Sequence, residues 1–489
     1  MNILFLSSEV QGLLKTGGLA DVARALPKQL KQSGHDIRVV MPCYRSLLGK
    51  NFPVVLPTLI VPLTPTDNYY CTVRQTTLDD VPVYLIEHNH FFGRHGIYDD
   101  GEQGYHDNAL RFAFLSKAAL ELSRALDFQP DLVQANDWQT AIASYYLKHH
   151  YSYDDFFANT GSVLTVHNGS YQGKCSGDLR YALGIAPEHM QAQAFEDWGQ
   201  INLLKGGLYF TDKANAVSPG YREELRQEST GHGLHMAFTA KGEDLVGILN
   251  GCDYGEWNPA TDPALPFHYD ADNLTGKKQV KLALQQELGL TSDANLPLFA
   301  NISRLTGQKG FQMLVPALYD LVNQGVQVVL LGSGELSYAL QLQEIARRFP
   351  DNVRFIYGYD EALSHRIEAA SDFFMMPSVF EPCGLNQIYS LRYGSLPIVR
   401  ATGGLIDTVE ALAVDESNKD KATGLSFEGF NFHDLAWTLK RAEWIWYNNP
   451  ELYLQMQQQA MAQSFTWQSA CEQYQQLYKA AILKACGLA

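Results

Sequence analysis

Short runs of aliphatic and aromatic residues alternate along this chain with longer stretches whose apolar positions recur at helical spacing. The first cycle predicts a strand at 3–7, a helix at 19–33 and a second strand at 37–41, because the short runs are apolar at successive positions. Strands that are apolar on both sides are typical of a parallel sheet covered by helices on each face. The pattern therefore predicts an α/β protein.

The same alternation continues through both halves of the chain. In the first half it predicts strands at 82–87, 132–136, 163–166 and 215–217, with helices at 108–125 and 138–150. In the second half it predicts strands at 298–302, 326–331, 353–357, 373–376 and 397–399, with helices at 336–348 and 467–484. A chain of 489 residues is too long for one ordinary core. We expect two domains, 1–248 and 249–464, and a last segment, 465–489, that crosses back to the first domain.

The tetrapeptide Thr-Gly-Gly-Leu occurs twice, at residues 16–19 and 402–405, each time after a β-rich run. Paired glycines let the backbone approach an anion closely, and a following helix presents unpaired N–H groups and a positive dipole end. One such loop in each half predicts two lobes that hold a phosphorylated ligand in a cleft between them.

The charge and composition of the chain argue against several classes of binding partner and site. The net charge is −16, and no basic stripe is present to favour nucleic acid or an anionic membrane. No apolar run reaches membrane-spanning length. The seven cysteines are scattered and never form a CxxC pair, which argues against a disulfide framework or a zinc site. With no basic region before the first strand, a cytoplasmic location is expected.

In the second half, polar side chains follow predicted strands. Residues 377–387 lie between a strand and a helix, where α/β folds place ligands, and Glu381 could hydrogen-bond sugar hydroxyls. The alternative is a helix-capping carboxylate. Arg304 and Lys309 follow another strand and, with Lys15, form three cations that suit a diphosphate; singly, each could be an ordinary exposed loop charge.

In the first half, Asp137 and His167 each follow a predicted strand. A lone histidine is more often structural than catalytic. The chain has no nucleophile elbow with a serine, histidine and aspartate in order, which disfavours hydrolase chemistry.

Two further site types are not expected. The segment after the first strand lacks GxGxxG, which weakens a dinucleotide redox enzyme. The histidine pairs lack carboxylate or cysteine ligands at metal-binding spacing, so no metal site is predicted. These pairs are His88/His90, His149/His150 and His232/His235.

Several of these segments together resemble the motifs of bacterial glycogen synthases and plant starch synthases. They are Lys15-Thr16-Gly17-Gly18-Leu19-Ala20-Asp21-Val22, Asn136-Asp137-Trp138, His167-Asn168, Asn250-Gly251, Arg304 with Lys309, and Phe380-Glu381-Pro382-Cys383-Gly384-Leu385. The match runs in order over almost the whole chain, which is far more specific than any one motif. The resemblance implies a GT-B fold, with two Rossmann-like doubly wound domains facing each other across a deep cleft.

The resemblance also implies an activity. It is the transfer of glucose from ADP-glucose to the non-reducing end of an α-1,4-glucan such as glycogen, with retention of configuration and without a metal or other cofactor. Retention without an evident protein nucleophile favours a front-face mechanism, in which the leaving phosphate accepts the acceptor hydroxyl's proton.

Site roles follow from the same resemblance. Lys15, Arg304 and Lys309 would neutralise the departing diphosphate. Glu381 would hold the donor glucose, His167 and Asp137 would orient glucose and acceptor, and Tyr359 would stack on the nucleobase. The other residues implied in substrate binding are Gly17, Gly18, Asn250, Cys383, Gly384, Leu385, Thr402, Gly403 and Gly404.

The chain departs from the broader clan at two places. Retaining GT-B enzymes place a second glutamate eight positions after the first, where this chain has Tyr389, and the loop 167–173 differs slightly from the commoner form. Two rival functions stay open. An α-glucan phosphorylase would need a pyridoxal-phosphate lysine. A catalytically silent glucan-binding scaffold is suggested by the 12% aromatic content, although the three cations and Glu381 argue against it.

Overall fold

The structure is a computed structural model that describes residues 1–323 and 325–488. It divides into two compact units. Unit 1 comprises Met1–Asn250 together with the segment from Trp467 onward, and unit 2 comprises Gly251–Thr466. Among the described residues, the helices are too short or too polar to span a lipid bilayer.

Unit 1 contains a nine-stranded sheet and a separate three-stranded sheet. The strands are β1 (Asn2–Leu6), β2 (Asp36–Pro42), β3 (Val54–Pro62), β4 (Asn68–Leu78), β5 (Val81–Glu87), β6 (Leu132–Asn136), β7 (Gly161–Val166), β8 (Lys174–Ser176), β9 (Glu196–Asp197), β10 (Gln200–Asn202), β11 (Lys213–Ala216) and β12 (Leu245–Gly247). The large sheet has the order β12-β11-β7-β6-β1-β2-β5-β4-β3, and the small one the order β8-β10-β9.

The nine-stranded sheet is parallel from β12 to β5, as expected from the sequence, but two further strands that were not predicted extend it with antiparallel pairing. β3 and β4 pair antiparallel, and β4 pairs antiparallel with β5 across a turn at Asp79 and Asp80. Both aspartates have positive φ, +49° and +64°, as a tight two-residue hairpin turn requires. β3 is an edge strand with many exposed positions, so it lacks the two-sided apolar signal of the inner strands.

Helices flank the large sheet. They are α1 (Gly18–Gln32), α2 (Arg45–Leu48), α3 (Asn89–Phe92), α4 (Asn108–Ala125), α5 (Asp137–Tyr145), α6 (Leu203–Phe210), α7 (Pro219–Leu225) and α8 (His235–Ala240). α5 continues into a π-helical turn at Tyr146–His150, and 3₁₀ turns occur at Gly177–Arg180, Pro187–His189 and Gly242–Asp244.

Unit 2 contains a six-stranded, fully parallel sheet. Its strands are β13 (Leu298–Ile302), β14 (Gln327–Gly332), β15 (Val353–Tyr357), β16 (Phe373–Met376), β17 (Leu396–Arg400) and β18 (Leu425–Phe427), in the order β15-β14-β13-β16-β17-β18. Its helices are α9 (Thr275–Glu287), α10 (Phe311–Val322), α11 (Leu336–Arg348), α12 (Glu361–Ala370), α13 (Asn386–Arg392), α14 (Gly404–Thr408), α15 (Phe432–Asn448) and α16 (Pro450–Met461). A 3₁₀ turn, Gly307–Lys309, precedes α10.

Each face of the unit 2 sheet has its own hydrophobic core, as the alternation of side chains along β13 requires. Phe299 belongs to the core on one face, whereas Leu298, Ala300 and Ile302 belong to the core on the other. Both faces of the sheet are therefore covered, and polar loops can extend only from the ends of its strands.

The last helix, α17 (Trp467–Ala485), follows unit 2 in the chain but belongs to unit 1. It packs on β7 so closely that a Cβ on Gly161 would lie 2.9 Å from the carbonyl carbon of Ala481. The Tyr474 hydroxyl on α17 also accepts a 2.9 Å hydrogen bond from the buried Asn215 Nδ2 on β11.

Candidate functional site

In unit 2 a cavity of about 170 Å³, lined by both polar and apolar residues, lies beyond the carboxyl ends of two adjacent strands, β13 and β16. The residues that line it are Asn301, Ile302, Ser303, Lys309, Met376, Ser378, Glu381, Gly384, Leu385 and Asn386. Parallel sheets place ligands at this edge because the loops that follow their strands converge there. Four predicted site residues, Lys309, Glu381, Gly384 and Leu385, are thus brought together.

Lys309 and Glu381 form an ion pair in the wall of this cavity. The Lys309 Nζ is 2.6 Å from Glu381 Oε2, and the Ser378 hydroxyl donates to the same oxygen at 3.0 Å. The Glu381 side chain is buried and that of Lys309 is only 18% exposed, so solvent screens the pair little. Arg304, the third predicted cation, is exposed in the loop after β13.

Glycines allow the loops around this pair to touch. Gly310, directly after Lys309, has φ +79°, and a Cβ there would lie 1.8 Å from the Pro377 carbonyl oxygen. The Gly404 N–H donates to the Glu381 carbonyl at 3.0 Å, and a Cβ on Gly404 would lie 2.3 Å from the Cys383 carbonyl oxygen. The second Thr-Gly-Gly-Leu loop therefore packs directly on the loop that carries Glu381.

The remaining predicted residues of unit 2 lie at helix starts and strand ends. Leu385 is the N-cap of α13, and Gly403, with φ +47°, is the N-cap of α14. Thr402 is buried beside it. Tyr359 follows β15 and is 69% exposed, so its ring is accessible for stacking.

Tyr389, which replaces the second glutamate of the clan, stacks on Trp257 with ring centroids 3.8 Å apart and an interplanar angle of 1°. Trp257 stacks on His365 as well, at 3.9 Å and 16°. The His365 Nδ1 in turn lies 2.7 Å from Asp262 Oδ2. An aromatic ring on α13 therefore packs where the clan has a carboxylate.

In unit 1, Asp137 is the first residue of α5 and has a left-handed backbone, φ +53°. Its Oδ1 accepts hydrogen bonds from the His167 and Asn168 N–H groups, at 2.6 and 3.1 Å. Burial raises the pKa of the Asp137 carboxyl to about 7, because the two hydrogen bonds offset only part of the desolvation. The two loops that follow β6 and β7 are joined through this side chain.

The His167 ring is buried, and desolvation lowers its pKa to about 3, so the imidazole is neutral at physiological pH. Its Nε2 lies 2.9 Å from Asn136 Oδ1. Because Asn136 Nδ2 donates to the Leu6 carbonyl, the amide oxygen is the atom that faces the histidine. The proton therefore resides on Nε2 and leaves Nδ1 as an acceptor.

The first Thr-Gly-Gly-Leu loop opens α1. Gly17 is the N-cap, and a Cβ on Gly17 or Gly18 would meet nothing within 4 Å, so a ligand could approach this backbone. Lys15 is ion-paired to Asp21 at 2.6 Å. Its charge is thus partly neutralised within the loop.

Sequence reasoning missed Glu9. Its carboxylate accepts from the Thr16 N–H and hydroxyl and from the Tyr98 hydroxyl, so it holds the glycine loop in place. The available signal was a carboxylate three residues after the end of β1, near a strand end as Asp137 is. Ser378 was missed because serines are common in loops.

A second cavity, of about 570 Å³, lies in unit 1 along the loop after β7. It is lined by Trp138, Ser170, Tyr171, Gln172, Gly173, Lys174 and His232. The loop that departs from the commoner sequence therefore forms one wall of a cavity. Asn250, the last residue of unit 1, is buried, and its Oδ1 makes no hydrogen bond with a described residue.

The pair His149/His150 has no carboxylate or cysteine at metal-binding spacing in the sequence, and no metal site was predicted from it. The structure nevertheless places the His189 and Glu188 side chains, which are distant in sequence, close to His149. The spacing argument considered sequence neighbours only, and a tertiary contact supplies what the local pattern lacks.

Comparison with known proteins gives a consistent result across the chain. Residues 2–240 match the starch synthase catalytic domain, and residues 286–463 match the glycosyl transferases group 1 family. A glycogen synthase from Aeromonas hydrophila is 44% identical over 487 residues, covering 99% of each chain. Glycogen synthase 1 from Geobacter sulfurreducens is 44% identical over 497 residues, covering 100% of this chain and 98% of the relative.

Solved structures agree. The catalytic domain of starch synthase IV from Arabidopsis thaliana, bound to ADP and acarbose, is 32% identical with a TM-score of 0.90, covering 98% of this chain and 99% of its own. A sucrose-phosphate synthase from Thermosynechococcus elongatus, at 16% identity and a TM-score of 0.59 over 98% of both chains, shares the fold. The chain therefore belongs to the glycogen and starch synthases, glucosyltransferases with the two-domain GT-B architecture.

Proposed function

We propose that the protein transfers glucose from ADP-glucose to the non-reducing end of an α-1,4-glucan, with retention of configuration, and so elongates glycogen. Family membership supports the glucosyl transfer. The choice of ADP is carried over from the Arabidopsis starch synthase, which was solved with ADP and acarbose.

The observation that carries the proposal is the Lys309–Glu381 pair in the unit 2 cavity. Glu381 Oε2 is occupied by Lys309 and Ser378, which leaves Oε1 for a hydroxyl of the donor glucose. Lys309 provides a fixed positive charge whose interaction strengthens as negative charge develops on the departing diphosphate. Exposed Arg304, in the loop after the same strand as Lys309, adds a second cation.

In unit 1 we assign hydrogen-bonding roles to Asp137 and His167. Neutral His167 accepts a hydrogen bond from a sugar hydroxyl at Nδ1, because the Asn136 amide oxygen keeps the imidazole proton on Nε2. Asp137 sets the positions of the His167 and Asn168 backbones. A fixed neutral imidazole can orient a hydroxyl without exchanging a proton, which suits a front-face reaction in which the leaving phosphate takes the acceptor proton.

The first glycine loop is assigned to phosphate binding. The open backbone at Gly17 and Gly18 and the start of α1 supply N–H donors. Lys15 contributes charge when its pair with Asp21 opens. Glu9 contributes by fixing the loop through Thr16.

The test measures ADP release by the purified full chain with glycogen, against UDP-glucose as a comparison donor and against reactions without glycogen. We expect glycogen-dependent ADP release, and an α-anomeric signal for the new linkage in the NMR spectrum of the product. A preference for UDP-glucose would overturn the donor assignment, and a β-linked product would overturn retention.

The same samples separate the two rival functions. A phosphorylase would release glucose 1-phosphate from glycogen with inorganic phosphate and would show pyridoxal absorbance. A silent scaffold would sediment with glycogen but release no nucleotide. Either result would replace the proposal.

A further inference from the structure

A second group of chemically capable side chains lies at the far end of the helical segment that begins with Asp137. α5 runs directly into the π-helical turn Tyr146–His150, where the Tyr151 N–H donates to the Tyr146 carbonyl. π-helical turns are rare in proteins, and those that occur are often found at functional sites. His149 comes twelve residues after Asp137, about 18 Å along the helix axis, so this group is separate from the residues assigned to sugar transfer.

His149 meets two side chains from the 3₁₀ turn Pro187–His189. The His189 Nε2 lies 3.2 Å from His149 Nδ1, and with the Glu188 carboxylate all three ligand atoms lie within 4.8 Å of one another. Zinc bound tetrahedrally at about 2.0–2.1 Å from two imidazole nitrogens holds those nitrogens about 3.3 Å apart. The two nitrogens are therefore spaced as zinc ligands are, at a distance that an N–H···N hydrogen bond between the rings also gives.

Packing fixes the rings in this arrangement. The Tyr145 ring stacks on His149 with centroids 5.1 Å apart and an interplanar angle of 14°, and the Phe210 and His189 rings are perpendicular with centroids 5.0 Å apart. The Tyr145 hydroxyl accepts the Ala186 N–H at 2.9 Å, directly before the 3₁₀ turn. One residue of α5 thus orients one ligand and anchors the segment that supplies the other two, which is the preorganisation that a metal site needs.

The neighbouring His150 uses both of its ring nitrogens in other contacts. His150 Nδ1 lies 2.9 Å from the Lys117 ammonium, and its Nε2 lies 2.8 Å from the Gly184 carbonyl. Its ring is therefore used to hold the fold. In the part of the chain that the structure describes, no other three histidine, cysteine or acidic residues bring their ligand atoms so close together.

We propose that His149, Glu188 and His189 bind one Zn²⁺ ion, with water completing the coordination, and that the ion cross-links the end of the α5 segment to the turn 187–189. Two imidazoles with one carboxylate suit zinc, whereas Mg²⁺ and Ca²⁺ prefer all-oxygen sites. Because the group is remote from Asp137, the ion stabilises unit 1 and takes no part in sugar transfer.

The test is calorimetric titration of the chelator-treated full chain with Zn²⁺, in a Cys486→Ser background that removes the exposed Cys486 thiol as a competing zinc ligand. We expect one site. His149→Ala and His189→Ala should each weaken it at least about tenfold, since even outer partners of metal ligands are worth 10–100-fold. Glu188→Gln should weaken it less.

The matched control is His433→Ala, which removes an exposed histidine that belongs to no such group. It should bind Zn²⁺ like the parent, and Mg²⁺ should give no saturable heat with any variant. Absence of zinc binding, or unchanged affinity in His149→Ala, would show that the two imidazoles share only a hydrogen bond and would overturn the proposal.

A second readout guards against misfolded variants. Zn²⁺ should raise the melting temperature of the parent in a concentration-dependent way but not that of His149→Gln, a milder variant whose circular dichroism can be matched first. Co²⁺ in place of zinc should give visible ligand-field absorption without a thiolate charge-transfer band. A thiolate band, or equal zinc stabilisation of the variant, would place the ion elsewhere and overturn the assignment.

Discussion

At the scale of single residues, Asp137 and His167 are buried side by side, and burial shifts their pKa values in opposite directions. The Asp137 pKa is raised to about 7, and the His167 pKa is lowered to about 3. Both shifts favour the neutral form. The two residues therefore affect stability with opposite signs as pH changes.

Replacing Asp137 by asparagine should make the protein more stable relative to wild type as pH rises. Between pH 3.8 and 7 the folded state holds a proton on Asp137 that the unfolded state releases, so this residue's stabilising contribution is lost as pH rises through 7. Asparagine stays neutral and tolerates the positive φ. From pH 5 to 8 the difference in unfolding free energy between variant and wild type should grow by about 2–3 kcal/mol, measured by denaturant titration.

His167→Gln provides the opposite control. Between pH 3 and 6.5 the unfolded chain binds a proton on His167, whereas the buried imidazole of the folded state stays neutral. The contribution of His167 to the free energy of unfolding is therefore fully present above pH 6.5 and is lost as pH falls to 3. The glutamine variant should therefore gain stability relative to wild type towards pH 4. Parallel pH profiles for both variants and wild type would contradict the assigned shifts.

Removing Lys309 should lower turnover at least about a hundredfold while the fold survives, because the variant loses charge that stabilises the departing diphosphate. Glu381→Ala should do the same through the lost contact with donor glucose and the unpaired Lys309. The measurement is glycogen-dependent ADP release at saturating donor, with melting temperatures to verify folding.

Arg366→Ala is the control for charge removal in the same unit. Arg366 pairs with Glu287 at 2.9 Å, but Glu287 is 43% exposed, and such surface pairs contribute little. Turnover should be unchanged. Wild-type turnover in Lys309→Ala or Glu381→Ala would remove that residue from the mechanism.

At the scale of elements, the inner strands of both sheets were predictable because they are short, mostly apolar runs whose residues are all buried. The strands at 132–136, 298–302 and 373–376 have the predicted limits. The β3–β4 hairpin was missed because edge strands alternate irregularly between buried and exposed residues. The predicted helix at 138–150 ends in a π turn, which hydrophobic periodicity does not report.

The candidate site shows the same division. Position after a strand end identified Lys309 and Glu381, and the structure brings them together at 2.6 Å. Their pairing was not predictable, because it depends on the close approach of the loops after β13 and β16. Glu9 was missed because its hydrogen bonds with Thr16 and Tyr98 depend on how the folded loop brings these groups together.

Because the loops after β13 and β16 are in close contact at Gly310, Gly310→Ala should destabilise unit 2 much more than Gly325→Ala does. Both glycines have nearly equal positive φ, +79° and +76°, so each alanine carries a similar backbone strain of roughly 1–2 kcal/mol. Only at Gly310 would the new Cβ collide with a backbone atom, the Pro377 carbonyl oxygen, whereas Gly325 faces open space. Thermal unfolding of both variants measures the difference.

Gly310→Ala should also reduce ADP release, because relief of the collision must shift the loop that carries Lys309. Gly325→Ala should keep full turnover. Equal melting temperatures for the two variants would show that the loops separate freely and that their contact does not position Lys309.

At the scale of the whole molecule, unit 1 is discontinuous in sequence. Its last helix, α17, is reached only after the chain has passed through all of unit 2. α17 packs on β11, β7 and β6, three adjacent strands in the half of the large sheet that ends at β12. Unit 1 therefore cannot complete its core until the last residues of the chain are in place.

Two tyrosines one turn apart on α17 allow this dependence to be measured. Tyr474 and Tyr478 are both fully buried, but Tyr474 receives the Asn215 amide N–H, whereas the Tyr478 hydroxyl makes no hydrogen bond with a described residue. Tyr474→Phe leaves a buried amide donor unpaired and should cost about 1–3 kcal/mol of unfolding free energy. Tyr478→Phe removes a buried hydroxyl that gains nothing in the fold and should be neutral or stabilising.

Asn215 makes the first effect extend beyond α17. Its Oδ1 accepts the Ile248 N–H beyond β12, so the same amide joins β11, the end of the β12 segment and the last helix. Loss of the Tyr474 hydroxyl should therefore raise amide hydrogen exchange at Ile248 as well as along α17, while Tyr478→Phe leaves both protected. If exchange rose only within α17, the helix would be an accessory to unit 1 and not part of its core.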